Sequence, residues 1–182
     1  MMKDDYVIVL DFLPHGKASD RKAEPLVQVL GEKFFNLLEV VIRDDTEVKP
    51  KERIYIGGEK RDKVKYIRGR ISYRDLTSFA KSELEEILIE LMSKEEKKFV
   101  NVFNIAGPMS TRMHTLELLP GIGKKHLWDI IRERKKKPFE SFKDLQERVE
   151  MLPDPRKMII KRILKELEGK DRHRLFVGAG VF

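Results

Sequence analysis

The chain contains no cysteine. Disulfides, thiolate nucleophiles and cysteine-based zinc or iron–sulfur centres are therefore excluded. Side-chain amides are scarce, with only Asn36, Asn101, Asn104, Gln28 and Gln146 present. No apolar run approaches the roughly 18 residues a membrane span needs. The opening Met1-Met2-Lys3-Asp4-Asp5 has two acids where a signal peptide carries its positive region. His15, His114, His126 and His173 are scattered without metal-ligand spacing. Gly178-Ala179-Gly180 follows no strand–turn–helix unit, which excludes a dinucleotide fingerprint. Acidic groups such as Asp4-Asp5, Asp44-Asp45 and Glu83-Glu85-Glu86 read as solvated faces. The expectation from these absences is a soluble, cytoplasmic protein away from membranes. No catalytic residue, metal site or cofactor site can be nominated.

What is present is charge. Of 182 residues, 38% are charged and 41% hydrophobic, enough apolar content to bury a core. Abundant charge with few thermolabile side chains points to a thermophile, where many charges serve surface ion-pair networks. The net charge is +7. It is unevenly spread: residues 1–92 hold 17 basic and 18 acidic side chains, and residues 93–182 hold 21 and 13. A basic half favours polyanionic partners.

Periodicity divides the chain in the same way. Tyr6–Leu13, Pro25–Leu30, Phe34–Ile42, Arg53–Ile56 and Val64–Ile71 are short runs rich in β-branched and aromatic residues, separated by Gly, Pro and Asp. Five such strands predict a small barrel or sandwich. After Tyr73 the period becomes helical. Leu84, Ile87, Leu88 and Leu91 mark a first helix, with Ser82 as its N-cap. Phe99 to Ala106 is a second, ended by Gly107-Pro108. Met109 to Leu119 is a third and Gly123 to Lys137 a fourth. Ser141 with Asp144 opens a fifth, and Pro155 begins a sixth that Gly169 stops. The fold class is α+β, with residues 1–78 as the strand domain and 79–171 as the helical one. The tail, 172–182, adds a strand or packs back on the barrel. Trp128 is read as a helix-packing residue.

The segment with most chemical content is Leu118-Leu119-Pro120-Gly121-Ile122-Gly123-Lys124-Lys125. Two glycines flank one apolar residue between two predicted helices. Such a turn leaves backbone N–H groups unpaired at a helix entrance, where the helix dipole adds positive potential. That is an anion site suited to a phosphate, with Lys124 and Lys125 adding full charges and Ile122 plugging the core. Met151-Leu152-Pro153-Asp154 echoes the segment without its glycines, and Asp154 would repel phosphate.

These residues resemble the helix-hairpin-helix family. Leu119, Gly121, Ile122, Gly123, Leu127, Ile130 and Ile131 follow its pattern in order, although Leu127 stands where the family usually has a small residue. The resemblance implies nucleic-acid backbone contacts at Gly121, Ile122, Gly123, Lys124 and Lys125, with residues 152–155 as a degenerate second hairpin. The strand segments Tyr6–Gly16, Gln28–Phe35 and Arg53–Gly57 look like those of an archaeal family of unknown function, over nearly the whole chain. That family pairs an OB-like β-barrel with helix-hairpin-helix repeats and is described only as predicted RNA- or nucleic-acid-binding. On an OB-like barrel, alternation would turn Tyr66, Arg68 and Arg70 outward, sharing a face with Val64 and joined by Arg53 and Tyr55, as a stacking and strand-tracking surface.

The sequence therefore predicts a non-enzymatic protein that binds RNA or DNA. Two alternatives stand beside it. One is a repair or processing enzyme that docks through the hairpin. The other is an adaptor with a protein partner in a ribonucleoprotein or transcription assembly.

Overall fold

The computed structural model describes residues 2–179. They form two compact units, one of residues up to Ile87 together with Glu166–Ala179, the other of Leu88–Lys165.

The first unit is built on β1 (Tyr6–Leu13), β2 (Leu26–Gly31), β3 (Leu37–Ile42), β4 (Arg53–Tyr55) and β5 (Val64–Arg70). They form one sheet in the order β4-β1-β2-β3-β5, with every pairing antiparallel. The first four strands make a Greek key, and β5 adds beside β3. One face gathers Val7, Val9, Val27, Val29, Val40, Ile42, Ile54 and Val64 into a core. Register shifts interrupt β1 between Val9 and Asp11 and the β3–β5 pairing at two places. Each bulge bends its strand and sharpens the twist, so the sheet curls into a half-barrel.

The bulges also reset which side chains point inward. Val9 and Phe12 both pack on the same core although they stand three positions apart. In β5 the core takes Val64 and Ile67, so Val64 does not share the outward face of exposed Tyr66 as strict alternation predicts. Phe34, Phe35 and Asn36 form the turn before β3 rather than its start, with Phe35 at φ 55°. Asp4 closes this turn and is buried, contrary to its reading as solvated. Its carboxylate accepts the Lys33 and Phe34 amides at 2.9 and 2.7 Å and the Asn36 side-chain amide at 2.7 Å. The tail packs back on this unit without adding a strand among the described residues. The buried Glu166 carboxylate accepts the amides of Leu175, Phe176 and Val177 at 2.9–3.1 Å, and the Gly178 amide donates to Phe34. Gly180, Val181 and Phe182, which end the predicted tail, lie outside the described residues.

Among the described residues five α-helices follow: α1 (Ser78–Lys94), α2 (Glu96–Ile105), α3 (Lys124–Lys136), α4 (Phe142–Arg148) and α5 (Pro155–Leu167). The cap of α1 is Thr77, not Ser82. Its hydroxyl accepts the Ala80 amide at 3.0 Å and donates to Asp11 at 2.6 Å, while its amide donates to buried Gln28 at 2.9 Å. The helix predicted over Met109–Leu119 does not form. Pro108 and His114 make an isolated bridge, and only Thr115–Leu118 winds into a 3-10 turn. The Ser110 hydroxyl accepts the Arg112 and Met113 amides, and the His114 ring accepts the Leu116 amide at 3.1 Å. These local side-chain bonds compete with the helical pattern and win.

Candidate nucleic-acid interface

The hairpin lies wholly in the second unit. The Ile122 amide donates to the Leu119 carbonyl at 3.2 Å, closing a four-residue turn. Pro120 takes its second position and Gly121, at φ 99°, its third, as a type II turn demands. Leu119 and Ile122 are buried and fix the turn to the core. Gly123 follows as the N-cap of α3, with φ −96°, ψ −171° and no side chain to accept an amide. The first bond of the helix runs from the Leu127 amide to the Gly123 carbonyl at 3.0 Å. The amides of Lys124, Lys125 and His126 precede that bond and have no acceptor within the helix.

The two glycines differ in their surroundings. At Gly121 the positive φ excludes most side chains, and an added Cβ would lie 3.4 Å from the Met158 methyl and 3.5 Å from the Pro153 ring. At Gly123 an added Cβ would meet nothing within 4 Å. Gly123, Lys124 and Lys125 are all exposed. The degenerate hairpin shows the contrast. Asp154 caps α5, its carboxylate accepting the Arg156 amide at 2.9 Å, so that helix entrance carries its own anion.

Lys124 and Lys125 are both exposed but not equivalent. Lys124 donates to Glu117 at 2.7 Å and to the Arg112 carbonyl at 3.2 Å. That hydrogen bond is the main reason the Glu117 carboxyl is held below the ordinary range. Lys125 has no partner among the described residues. At about 100° per residue, Lys124, Lys135, Trp128, Arg132, Lys125 and Lys136 share one arc of α3, opposite buried Leu127 and Ile130. Trp128 is 62% exposed in the middle of it, which corrects its reading as a packing residue. The signal was available: Trp128 lies off the Leu127–Ile130 stripe.

The residues nominated on the strands are dispersed and mostly engaged. β4 and β5 are the two edges of the sheet. Arg53 grips Glu32 at 2.6 and 3.1 Å and lies 3.5 Å over the Tyr6 ring, and Tyr6 packs edge-on against Tyr55 at 5.2 Å. The Tyr55 hydroxyl accepts the Glu59 amide at 3.2 Å. Elsewhere, the Tyr66 hydroxyl donates to Glu24 at 2.6 Å and Arg68 makes a two-pronged pair with Asp20 at 3.0 and 2.6 Å. The Arg68 guanidinium, with help from the Lys17 amide, lowers the Asp20 carboxyl to about 2. Arg53 and Tyr55 line one cavity, and Tyr66 and Arg68 another. Arg70 is exposed and has no partner among the described residues.

Charge follows the same division. Residues 88–165 carry 18 basic and 11 acidic side chains, and the rest of the chain carries 20 of each. The whole excess of +7 therefore belongs to the stretch that holds the hairpin. Among the described residues no three His, Asp or Glu side chains gather as a metal-binding group, and no helix is long and apolar enough to cross a membrane.

Residues 3–178 match the family model described as "Protein of unknown function (DUF655)". An uncharacterised protein of Methanocaldococcus jannaschii, MJ0038, is 47% identical over 176 residues, covering 96% of this chain and 80% of its own. The crystal structure of Af1531 from Archaeoglobus fulgidus superposes with a TM-score of 0.84 at 46% identity, covering 95% of this chain and 99% of that one. Both relatives come from thermophilic archaea.

Proposed function

The chain belongs to the DUF655 family, and from that premise we propose that it binds nucleic acid through phosphate contacts at the α3 entrance, without carrying out a reaction on it. The observation that carries this reading is the bare N-cap at Gly123. Three amides there have no acceptor within the helix, beside an exposed glycine with empty space at its Cβ position, and the matching helix entrance at Asp154 is filled by a carboxylate. An oxyanion of the sugar-phosphate backbone supplies what Asp154 supplies internally. The confinement of the excess charge to residues 88–165 supports it, because a polyanion draws on the long-range field as well as on the contact.

The turn supports a helix-hairpin-helix reading through its buried Ile122, its glycines and the helix that follows. The segment before it departs from that pattern, being a single 3-10 turn. The half-barrel supports an OB-like reading through its five strands, Greek-key order and open edge between β4 and β5. Its nominated contacts contribute less than the hairpin, because Arg53, Tyr66 and Arg68 are already satisfied by Glu32, Glu24 and Asp20. Contacts to the backbone position a duplex but carry little sequence selectivity.

The test is Gly123→Asp. It copies the Asp154 cap into a backbone that accepts it and a space that is empty. The variant should fold at least as stably as the parent, since Asp is a better N-cap than Gly by a few tenths of a kcal/mol. It should lose most of its affinity for duplex DNA or RNA. Unchanged affinity in the folded variant removes the hairpin from the binding site.

A further inference from the structure

Trp128 stands out as a large aromatic side chain left 62% in solvent on a helix whose other large apolar residues are covered or half covered. Its neighbours on the arc of α3 are Lys124, Lys125, Arg132, Lys135 and Lys136, all exposed. Three of them hold acids at the margins: Lys124 with Glu117, Arg132 with Asp129 and Lys136 with Glu133, at 2.6–2.8 Å. Lys125 and Lys135 have no partner among the described residues. The arc therefore presents one flat π-surface framed by cations, about one helical turn beyond the amides at the helix entrance.

Three kinds of partner are to be weighed for a basic surface with an aromatic. An anionic membrane needs an apolar face to insert, and a single indole among five cations does not make one. A second copy of this chain would bring the same five cations against these, and the repulsion opposes it. A nucleic acid with an unpaired base matches both features, because phosphates pair with the lysines and the base stacks on the indole.

We propose that the solvent face of α3 selects nucleic acid with an unstacked base beside the gripped phosphate, and that Trp128 is the stacking residue. This inference rests on the hairpin reading, since the α3 entrance supplies the neighbouring phosphate contact. It names the ligand class more narrowly than that reading does: a strand with a single-stranded extension or loop. A continuous duplex keeps its bases stacked on one another and offers the indole nothing.

The chain has one tryptophan, so its fluorescence reports this position alone. The full chain is titrated with a blunt duplex, with the same duplex bearing a single-stranded extension, and with vesicles of anionic phospholipid. Quenching should appear with the extended ligand. Trp128→Ala should weaken binding of the extended ligand by roughly 5- to 150-fold and leave the blunt duplex unchanged. Trp128→Phe should restore most of the loss. Equal binding of both nucleic acids with unaltered emission overturns the stacking role and leaves the hairpin reading standing. A blue shift with vesicles, unmatched by quenching with nucleic acid, assigns the face to a lipid surface and overturns it as well. Binding to neither nucleic acid defeats both readings.

Discussion

Two glycines one residue apart have separable duties, and substitution distinguishes them. Gly121 sits at φ 99°, where an L side chain is strained, so Gly121→Ala should cost about 1–3 kcal/mol of folding stability, read as a lowered denaturant midpoint. Gly123 occupies extended backbone with empty space around it. Gly123→Ala should therefore cost only what a poorer N-cap costs, about 1 kcal/mol or less, while weakening phosphate binding. The neighbouring His114 makes the segment before the hairpin sensitive to acid. Desolvation, aided by Arg134, lowers its pKa from the ordinary 6.5, and its neutral Nδ1 accepts the Leu116 amide. The contribution is complete above pH 6.5 and falls away as pH drops below it toward the folded value. Exchange of the Leu116 amide should quicken there, and His114→Gln should flatten the dependence. Asp20 behaves differently: its carboxyl, held at about 2 by Arg68, keeps that clamp through the ordinary carboxylate range until pH approaches 2. At this scale Gly121 was legible because its conformational demand is written in residue type, whereas the extended backbone at Gly123 makes no such demand. The engagement of Arg53, Tyr66 and Arg68 was not, because their acidic partners lie 21 to 48 residues away in sequence.

Among the elements, strands were read well because alternation and breakers are local signals, and β1 was read residue for residue. Faces were read less well, since a bulge depends on the partner strand and shifts every later side chain. The lost helix over Met109–Leu119 has a local cause instead: Ser110 and His114 satisfy nearby amides that a helix would have used. The end of α3 shows a tertiary device invisible in sequence. Arg148, from α4, donates to the carbonyls of Glu133, Lys137 and Pro138, pairs with Asp144, and lies 4.4 Å over the Phe139 ring. It adds a second donor to the Glu133 carbonyl, which already takes the Lys137 amide, serves the Lys137 and Pro138 carbonyls just beyond the helix, and counters the negative end of the dipole. Arg148→Ala should cost about 1.5–3 kcal/mol, seen as earlier unfolding of the second unit by hydrogen exchange of the α3 amides. Replacement by Lys should recover only part, because an ammonium cannot serve several carbonyls in a fixed fork.

For the whole molecule, the α+β class and the neutral-to-basic gradient were readable directly, since both are sums over many residues and tolerate local error. The structure adds that the gradient follows the two units, with the entire excess in residues 88–165. Binding through that stretch should fall steeply and log-linearly with salt. Lys125→Ala should lower the slope by about one counterion, and Arg68→Ala should leave it unchanged, because Asp20 already neutralises Arg68. The most direct measurement of the central claim is an amide-resolved NMR titration of the full chain with a duplex. The largest shifts should fall at the backbone amides of Gly123, Lys124, Lys125 and His126, and vanish in Gly123→Asp. Binding that leaves those four amides unmoved would contradict that claim.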